Sequence, residues 1–341
     1  MLPAVYTVFY LNPGATPEVC AIVAEQLPEG WTLLTPNGVP PNRTGARGGF
    51  ALELARCDFI LVADHPVTAG HIAAAPRLKM IQHQGVGYER IDLDACRSRG
   101  IPVALTPEGT SIGVAEHTIL LILALYKRLV TAANGVRAGR WPQWTLRDRS
   151  FELCGKTLGL VGFGRIGREV AKRARAFDTR VVYFDPEVLG PAPAELDVTD
   201  APSLHALLAA ADIVSLHVPL HAGSRHLIDR EALRSMKPGA VLINTSRGGL
   251  VDEAALVDAL LSEHLAGAAL DVLEREPPAP DHPLLYMEQV LITPHIAAGT
   301  RDALRTKMRA AFTNLLRFTC GEPPQHVVAD SIGAPTSTRA S

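Results

Sequence analysis

Charge of one sign is scarce here: 33 Lys and Arg stand against 35 Asp and Glu, a net charge of −2 over 341 residues. That balance excludes any general attraction to nucleic acid or to an anionic membrane surface. Long hydrophobic runs are also missing. The most apolar stretch, Thr118 to Tyr126 (TILLILALY), is flanked by Glu116, His117, Lys127 and Arg128. It falls far short of the roughly 20 residues that span a bilayer, so it predicts a buried helix with Leu121–Tyr126 packed in the core. Residues 1–12 lack a basic segment leading into a long apolar one, and no secretory signal is expected.

Cysteine is sparse, scattered and odd in number: Cys20, Cys57, Cys96, Cys154 and Cys320. This pattern provides neither a disulfide framework nor metal-ligand spacing, and it suits a reducing, cytoplasmic setting. Cys154, just ahead of a predicted strand, is expected to be buried and inert. His217, His221 and His226 lie close in sequence, but Pro219 breaks helical i, i+4 pairing. No carboxylate or cysteine joins them at ligand spacing, so no metal is expected.

What is present is an alternation of strand-like and helix-like segments, the signature of parallel α/β sheets. Strands are predicted at Ala4–Tyr10, Phe59–Val62, Met80–His83 and Pro102–Ala104, with helical patterns at Pro17–Gln26 and Ile91–Arg99. Further strands are predicted at Leu158–Val161, Val181–Phe184, Ile213–His217, Val241–Asn244, Ala268–Val272 and Val290–Ile292. Helical patterns lie at Ile166–Phe177, Ser203–Ala210, Glu253–Ser262 and Thr300–Phe318. The tail from Ala329 to Ser341 is small, polar and aperiodic, and is expected to be disordered.

The first α/β block carries no phosphate loop, but the second does. An apolar strand runs into Gly162-Phe163-Gly164-Arg165-Ile166-Gly167, a helix and a second strand follow, and Asp185 closes the unit 18 residues beyond Gly167. This is the strand–turn–helix–strand context of a dinucleotide site. Gly162 permits the tight turn, Gly164 lets backbone approach a pyrophosphate, and Gly167 lets helix pack on strand. The helix N-terminus offers N–H groups and positive partial charge to phosphate. A carboxylate at 185 accepts hydrogen bonds from ribose hydroxyls and repels a 2′-phosphate, which points to NAD.

Three segments just past predicted strands carry candidate acid–base and anion-binding groups: Asn244–Gly249 with Arg247, Ala269–Pro277 with Asp271 and Glu276, and Thr293–Ile296 with His295. Open α/β sheets place ligands at those strand ends. Imidazole is suited to proton transfer near neutral pH. The planar guanidinium fork matches a carboxylate.

With these segments in place, the chain resembles the NAD-dependent D-isomer-specific 2-hydroxyacid dehydrogenases, the family of phosphoglycerate, glyoxylate/hydroxypyruvate and D-lactate dehydrogenases. The resemblance covers about residues 80 to 325. It rests on Gly85-Val86-Gly87-Tyr88, Ser111 to His117, the glycine fingerprint with Asp185, His217-Val218-Pro219-Leu220, and the Arg247, Glu276 and His295 segments. It implies two doubly wound parallel-sheet domains, a Rossmann NAD domain (105–298) inserted into a flavodoxin-like substrate domain (1–104 and 299–341), with the active site in the cleft.

The resemblance implies that His295 donates the proton, Glu276 fixes its tautomer and raises its pKa, and Arg247 binds the substrate carboxylate. The backbone around Val86 and Gly87 would hold that carboxylate too. Asp271 would orient the nicotinamide carboxamide, and Thr110, His217, Val218, Pro219 and Thr245 would line the cofactor. A homodimer is implied through the helix containing Leu121–Tyr126. Val86 stands where related phosphite dehydrogenases have lysine, and Glu276 where formate dehydrogenases have glutamine, which favours 2-hydroxy acids. The substrate side chain would meet loops in residues 40–110 and near Trp141 and Trp144. Arg43, Arg47 and Lys79 are candidate cations for a phosphorylated substrate. A phosphoglycerate dehydrogenase lacking a regulatory domain and an NAD-sensing corepressor stay open as alternatives.

Overall fold

A computed structural model describes residues 5–36, 50–63, 65–187 and 192–331. The chain forms two compact units, Met1–Thr110 with Arg301–Ser341, and Ser111–Thr300. In chain order the first unit supplies β1 (Thr7–Leu11), α1 (Pro17–Ala24), β2 (Thr32–Leu34), α2 (Ala51–Arg56), β3 (Phe59–Val62), α3 (Ala69–Ala73), β4 (Met80–His83), α4 (Leu93–Ser98) and β5 (Val103–Ala104). The second unit begins with α5 (Ser111–Tyr126), α6 (Leu129–Arg137), β6 (Thr157–Val161), α7 (Arg165–Arg175), β7 (Arg180–Phe184) and β8 (Thr199–Asp200). It continues with α8 (Leu204–Ala210), β9 (Ile213–Leu216), α9 (Arg230–Ser235), β10 (Ala240–Asn244), α10 (Glu253–Leu261), β11 (Leu265–Leu270) and β12 (Val290–Ile292). The chain then returns to the first unit with α11 (Arg301–Thr319).

In the first unit the order β2-β1-β3-β4-β5 is all parallel, the flavodoxin-like arrangement. Strands buried on both faces must read as continuous apolar runs. Phe59–Val62 does, facing two separate clusters that include Ile60 on one side and Phe59 and Leu61 on the other. In the second unit the order β12-β11-β10-β9-β6-β7-β8 is also wholly parallel. Its strand order reverses between β6 and β9, the switch point at which doubly wound sheets open a ligand crevice. The apolar helix α5 lies on one face of this sheet, with Leu121, Ile122 and Leu125 buried against Leu158, Leu160 and Ile243.

Several helices start where side chains satisfy first-turn N–H groups. Ser203 accepts from Ala206 N–H at 3.1 Å before α8, and Asp252 from Ala255 N–H at 3.0 Å before α10. Among the described residues no single helix is long and apolar enough to cross a membrane.

The structure differs from the sequence reading at Cys154, in the tail, at Lys79 and at two short strands. Cys154 is exposed: Leu153 takes the core position and the next residue turns outward ahead of Gly155, at φ +74°. The tail is ordered as far as Ser331, whose buried hydroxyl accepts from Val103 N–H at 3.0 Å; residues 332–341 lie outside the described residues. Lys79 precedes β4, at the N-terminal edge of its sheet and away from the strand ends where ligands bind, while Arg43 and Arg47 lie outside the described residues. The edge strands β2 and β8, three and two residues long, are too short to announce themselves.

Candidate active site

The glycine turn sits at the β6–β9 switch point, and its geometry requires glycine at two positions. Gly162 has φ +97°, and a Cβ there would lie 2.6 Å from the His217 carbonyl oxygen. A Cβ on Gly167 would lie 2.4 Å from the Gly162 carbonyl oxygen. Gly164, by contrast, faces open space and caps α7 without a side chain, so the first-turn N–H groups at Arg165 and Ile166 are left for an anion. Phe163 turns its ring into the core, stacked on Tyr183 at 4.1 Å, and its N–H donates to Asp185 at 2.7 Å. Asp185 also accepts from Glu187 N–H at 2.9 Å, so its carboxylate is held at the tip of β7 beside the glycine turn.

Other candidate cofactor residues lie at strand ends. His217 follows β9; Ser215 Oγ lies 2.9 Å from its Nε2, and its Nδ1 is buried without a partner. Burial pulls its pKa down to about 3, so the ring is neutral. Val218 Cγ1 packs against the Gly162 turn, and the Pro219 carbonyl accepts from Ser224 Oγ. Thr245 follows β10, buried, its Oγ1 3.1 Å from Thr118 Oγ1. In the first unit, Thr110 keeps a buried hydroxyl without a partner, and the loop after β4 leaves Val86 exposed with Gly87 half-buried. A bare helix N-terminus, a glycine cradle and an acid at the second strand fit a dinucleotide carrying an unphosphorylated ribose.

The His295–Glu276 pair is built on loops after β11 and β12, which are hydrogen-bonded neighbours. His295 Nδ1 lies 2.8 Å from Glu276 Oε2, and Glu276 Oε1 accepts from Leu273 N–H at 3.1 Å. The hydrogen bond from Glu276 is the chief influence on His295 and lifts its pKa above the ordinary imidazole value, against burial and the charge of Arg247. Burial would push Glu276 up. The hydrogen bond and charge of His295, the Leu273 N–H and the Arg247 cation outweigh it and hold the carboxyl below its ordinary value. Arg247 therefore lies within electrostatic reach of both partners. Its own loop is braced by Asn244 Nδ2, which donates to the Arg247 carbonyl at 2.9 Å.

His295 adopts φ +54°, a left-handed conformation uncommon for a residue with a side chain. Asp271 holds it there. The Asp271 carbonyl accepts from His295 N–H at 2.8 Å; its carboxylate accepts from Ile296 N–H at 3.0 Å, Ala297 N–H at 2.8 Å and Thr293 Oγ1 at 2.5 Å. The carboxylate is fully enclosed. In this arrangement that carboxylate is committed to two backbone amides and the Thr293 hydroxyl. Burial pushes Asp271 up, and its hydrogen bonds with His117, Thr293 and the two backbone amides bring it below the ordinary carboxylate value. Among the described residues no group of three His, Cys, Asp or Glu side chains could hold a metal.

Sequence reasoning missed the part of α5 that reaches these loops. His117 Nε2 lies 3.0 Å from Thr293 Oγ1, a contact across 176 residues that no local spacing signals.

A nucleotide turn at the switch point and a histidine–carboxylate pair at neighbouring strand ends define a dinucleotide-dependent oxidoreductase. Residues 119–297 match the family model for the D-isomer specific 2-hydroxyacid dehydrogenase NAD binding domain. The chain is 44% identical over 257 residues to a glyoxylate reductase from Thermofilum pendens, covering 75% of this chain and 76% of that protein. It is 40% identical over 277 residues to a D-3-phosphoglycerate dehydrogenase from Archaeoglobus fulgidus, covering 81% of this chain and 52% of that one, so the match spans about half of that relative. Among solved structures, the NADPH-dependent glyoxylate/hydroxypyruvate reductase from Sinorhizobium meliloti superposes with a TM-score of 0.78 at 30% identity, covering 95% of this chain and 98% of that one. The chain belongs to the D-isomer-specific 2-hydroxyacid dehydrogenase family.

Proposed function

We propose that the protein reduces a small 2-oxo acid to the D-2-hydroxy acid with NADH, and that His295 is its proton donor. The observation that carries this reading is the His295–Glu276 pair at 2.8 Å, its imidazole pKa raised and Arg247 within electrostatic reach. Glu276 engages Nδ1, which fixes the tautomer and leaves Nε2 to meet the substrate carbonyl oxygen. Bound NADH supplies the hydride. Arg247 binds the substrate carboxylate through its planar fork and polarises the neighbouring carbonyl.

Asp185 supports NADH over NADPH, because a 2′-phosphate would meet a carboxylate already held at the tip of β7. The five cysteines, all free, favour work in the cytoplasm, and a net charge of −2 favours neither nucleic acid nor membrane as partner. A homodimer is supported by the apolar side chains that the second unit leaves exposed at Leu120, Leu129, Val130, Val136, Trp141 and Trp144.

The test is NADH oxidation, followed by absorbance, against glyoxylate, hydroxypyruvate, pyruvate, phenylpyruvate, 2-oxoisocaproate and 2-oxoglutarate. 3-Phosphoglycerate with NAD is run in the reverse direction. The expected result is a clear preference in kcat/KM for one small 2-oxo acid. NADH binding without turnover of any member of the panel would overturn the reading.

A further inference from the structure

His117 has no part in the chemistry described above, yet it lies against the floor of the His295 turn. It sits on α5, half-buried, with Nε2 3.0 Å from Thr293 Oγ1 and 3.5 Å from Asp271 Oδ1. The Thr293 hydroxyl has one hydrogen, and that hydrogen is committed to Asp271 Oδ1 at 2.5 Å. Thr293 Oγ1 must therefore accept from His117, which places a hydrogen on Nε2. Asp271 in turn accepts the N–H groups of Ile296 and Ala297, the two residues that follow His295. Hydrogen bonds thus run from α5 through a hydroxyl to a buried carboxylate, on which the backbone N–H groups of the turn converge as donors from the other side.

The neighbouring residue on the helix makes a parallel tie. Thr118 Oγ1, itself donating to the Val114 carbonyl at 2.8 Å, lies 3.1 Å from Thr245 Oγ1, two residues before Arg247. Two successive residues of α5 are thereby joined to the loops after β12 and β10.

We propose that His117 is a positioning residue for His295, acting through Thr293 and Asp271 to hold the left-handed turn that aims the imidazole. The proposal rests on the dehydrogenase reading for its effect on rate, but its structural part stands independently. A buried carboxylate whose hydroxyl partner is left underbonded loosens the amides it holds. Loss of the Nε2–H donor should therefore increase the mobility of residues 293–297 while Arg247 and the nucleotide turn keep their places.

The experiment uses the full chain with His117→Ala, His117→Gln and Thr293→Val. Gln retains an N–H that can reach the threonine hydroxyl. Amide hydrogen exchange is measured on the protein without cofactor, and steady-state rates with NADH and the 2-oxo acid that wild type prefers. His117→Ala should speed exchange at Ile296 and Ala297 and lower kcat about tenfold, with KM for the oxo acid within about twofold. His117→Gln should restore most of both, and Thr293→Val should match His117→Ala, with no further loss in the double variant. Unchanged exchange at Ile296 and Ala297 in His117→Ala would overturn the proposal, as would a loss of kcat that Gln does not restore. A wild type that reduces no 2-oxo acid contradicts the dehydrogenase reading instead, and the exchange data still decide the role of His117.

Discussion

Glu276 and His295 stand 19 residues apart in the chain, and their side chains meet at 2.8 Å, carboxylate Oε2 to imidazole Nδ1. The meeting follows from the sheet. β11 and β12 are parallel neighbours, so the loops that leave their C-terminal ends emerge side by side. Each partner is also held from behind, Glu276 by the Leu273 N–H and His295 by Asp271. The result is a histidine whose pKa is raised chiefly by one hydrogen-bonded carboxylate.

That dependence fixes a pH prediction. A proton donor with a raised pKa stays competent at low pH and loses activity as pH rises through its folded pKa. In Glu276→Gln the raising influence is gone, so the alkaline limb of the rate of 2-oxo acid reduction should move to lower pH. At pH 8 the variant should lose about tenfold more rate than at pH 6. A pH profile of kcat/KM checks this, and a limb that stays in place would show that Glu276 does not set the pKa of His295.

In the proposed reading cofactor choice rests on Asp185, held between Phe163 N–H and Glu187 N–H. Asp185→Ala should weaken NADH binding about tenfold, the loss of a charge-assisted hydrogen-bond acceptor, and should spare NADPH. Fluorescence titration with both cofactors measures the ratio; an unchanged preference would remove Asp185 from ribose recognition.

Close packing of the Arg247 and Glu276 loops gives a stability prediction. A Cβ added at Gly248 would lie 1.9 Å from the Leu273 carbonyl carbon and 2.3 Å from Glu274 N, backbone atoms that cannot swing aside. Gly248→Ala should cost about 3 kcal/mol in chemical denaturation and lower activity by pushing the Arg247 and Glu276 loops apart. A wild-type denaturation midpoint would contradict the described packing.

The exposed apolar side chains at Leu129, Val136 and Trp144 bear on assembly. Val136→Glu should convert a dimer to a monomer in light scattering coupled to size exclusion, since an uncompensated buried charge opposes association. A wild type of monomer mass would contradict the homodimer reading directly.

What the sequence discloses divides along one physical line. The nucleotide turn was legible because its logic is local: strand, glycines, helix and acid occupy one continuous stretch, and Gly162 and Gly167 answer to steric demands nearby. Buried central strands such as Phe59–Val62 and Val241–Asn244 were legible because burial on both faces demands an unbroken apolar run. The edge strands β2 and β8 carry no such demand and went unread. The enclosure of Asp271 and its link to His117 were equally hidden, because they depend on which helix covers which loop. Cys154 shows the same limit at single-residue scale: whether it or Leu153 points inward is settled by the turn at Gly155, and hydrophobicity alone does not decide it.

The most direct test of the account is the turnover number of His295→Ala with the preferred 2-oxo acid, measured beside its affinity for NADH. The account predicts that kcat falls by about 10³-fold or more, because the carbonyl oxygen loses its proton donor, while NADH binds nearly as in wild type. A variant that retains kcat within about tenfold of wild type would contradict the assignment of His295, and with it the mechanism built on the Glu276 pair.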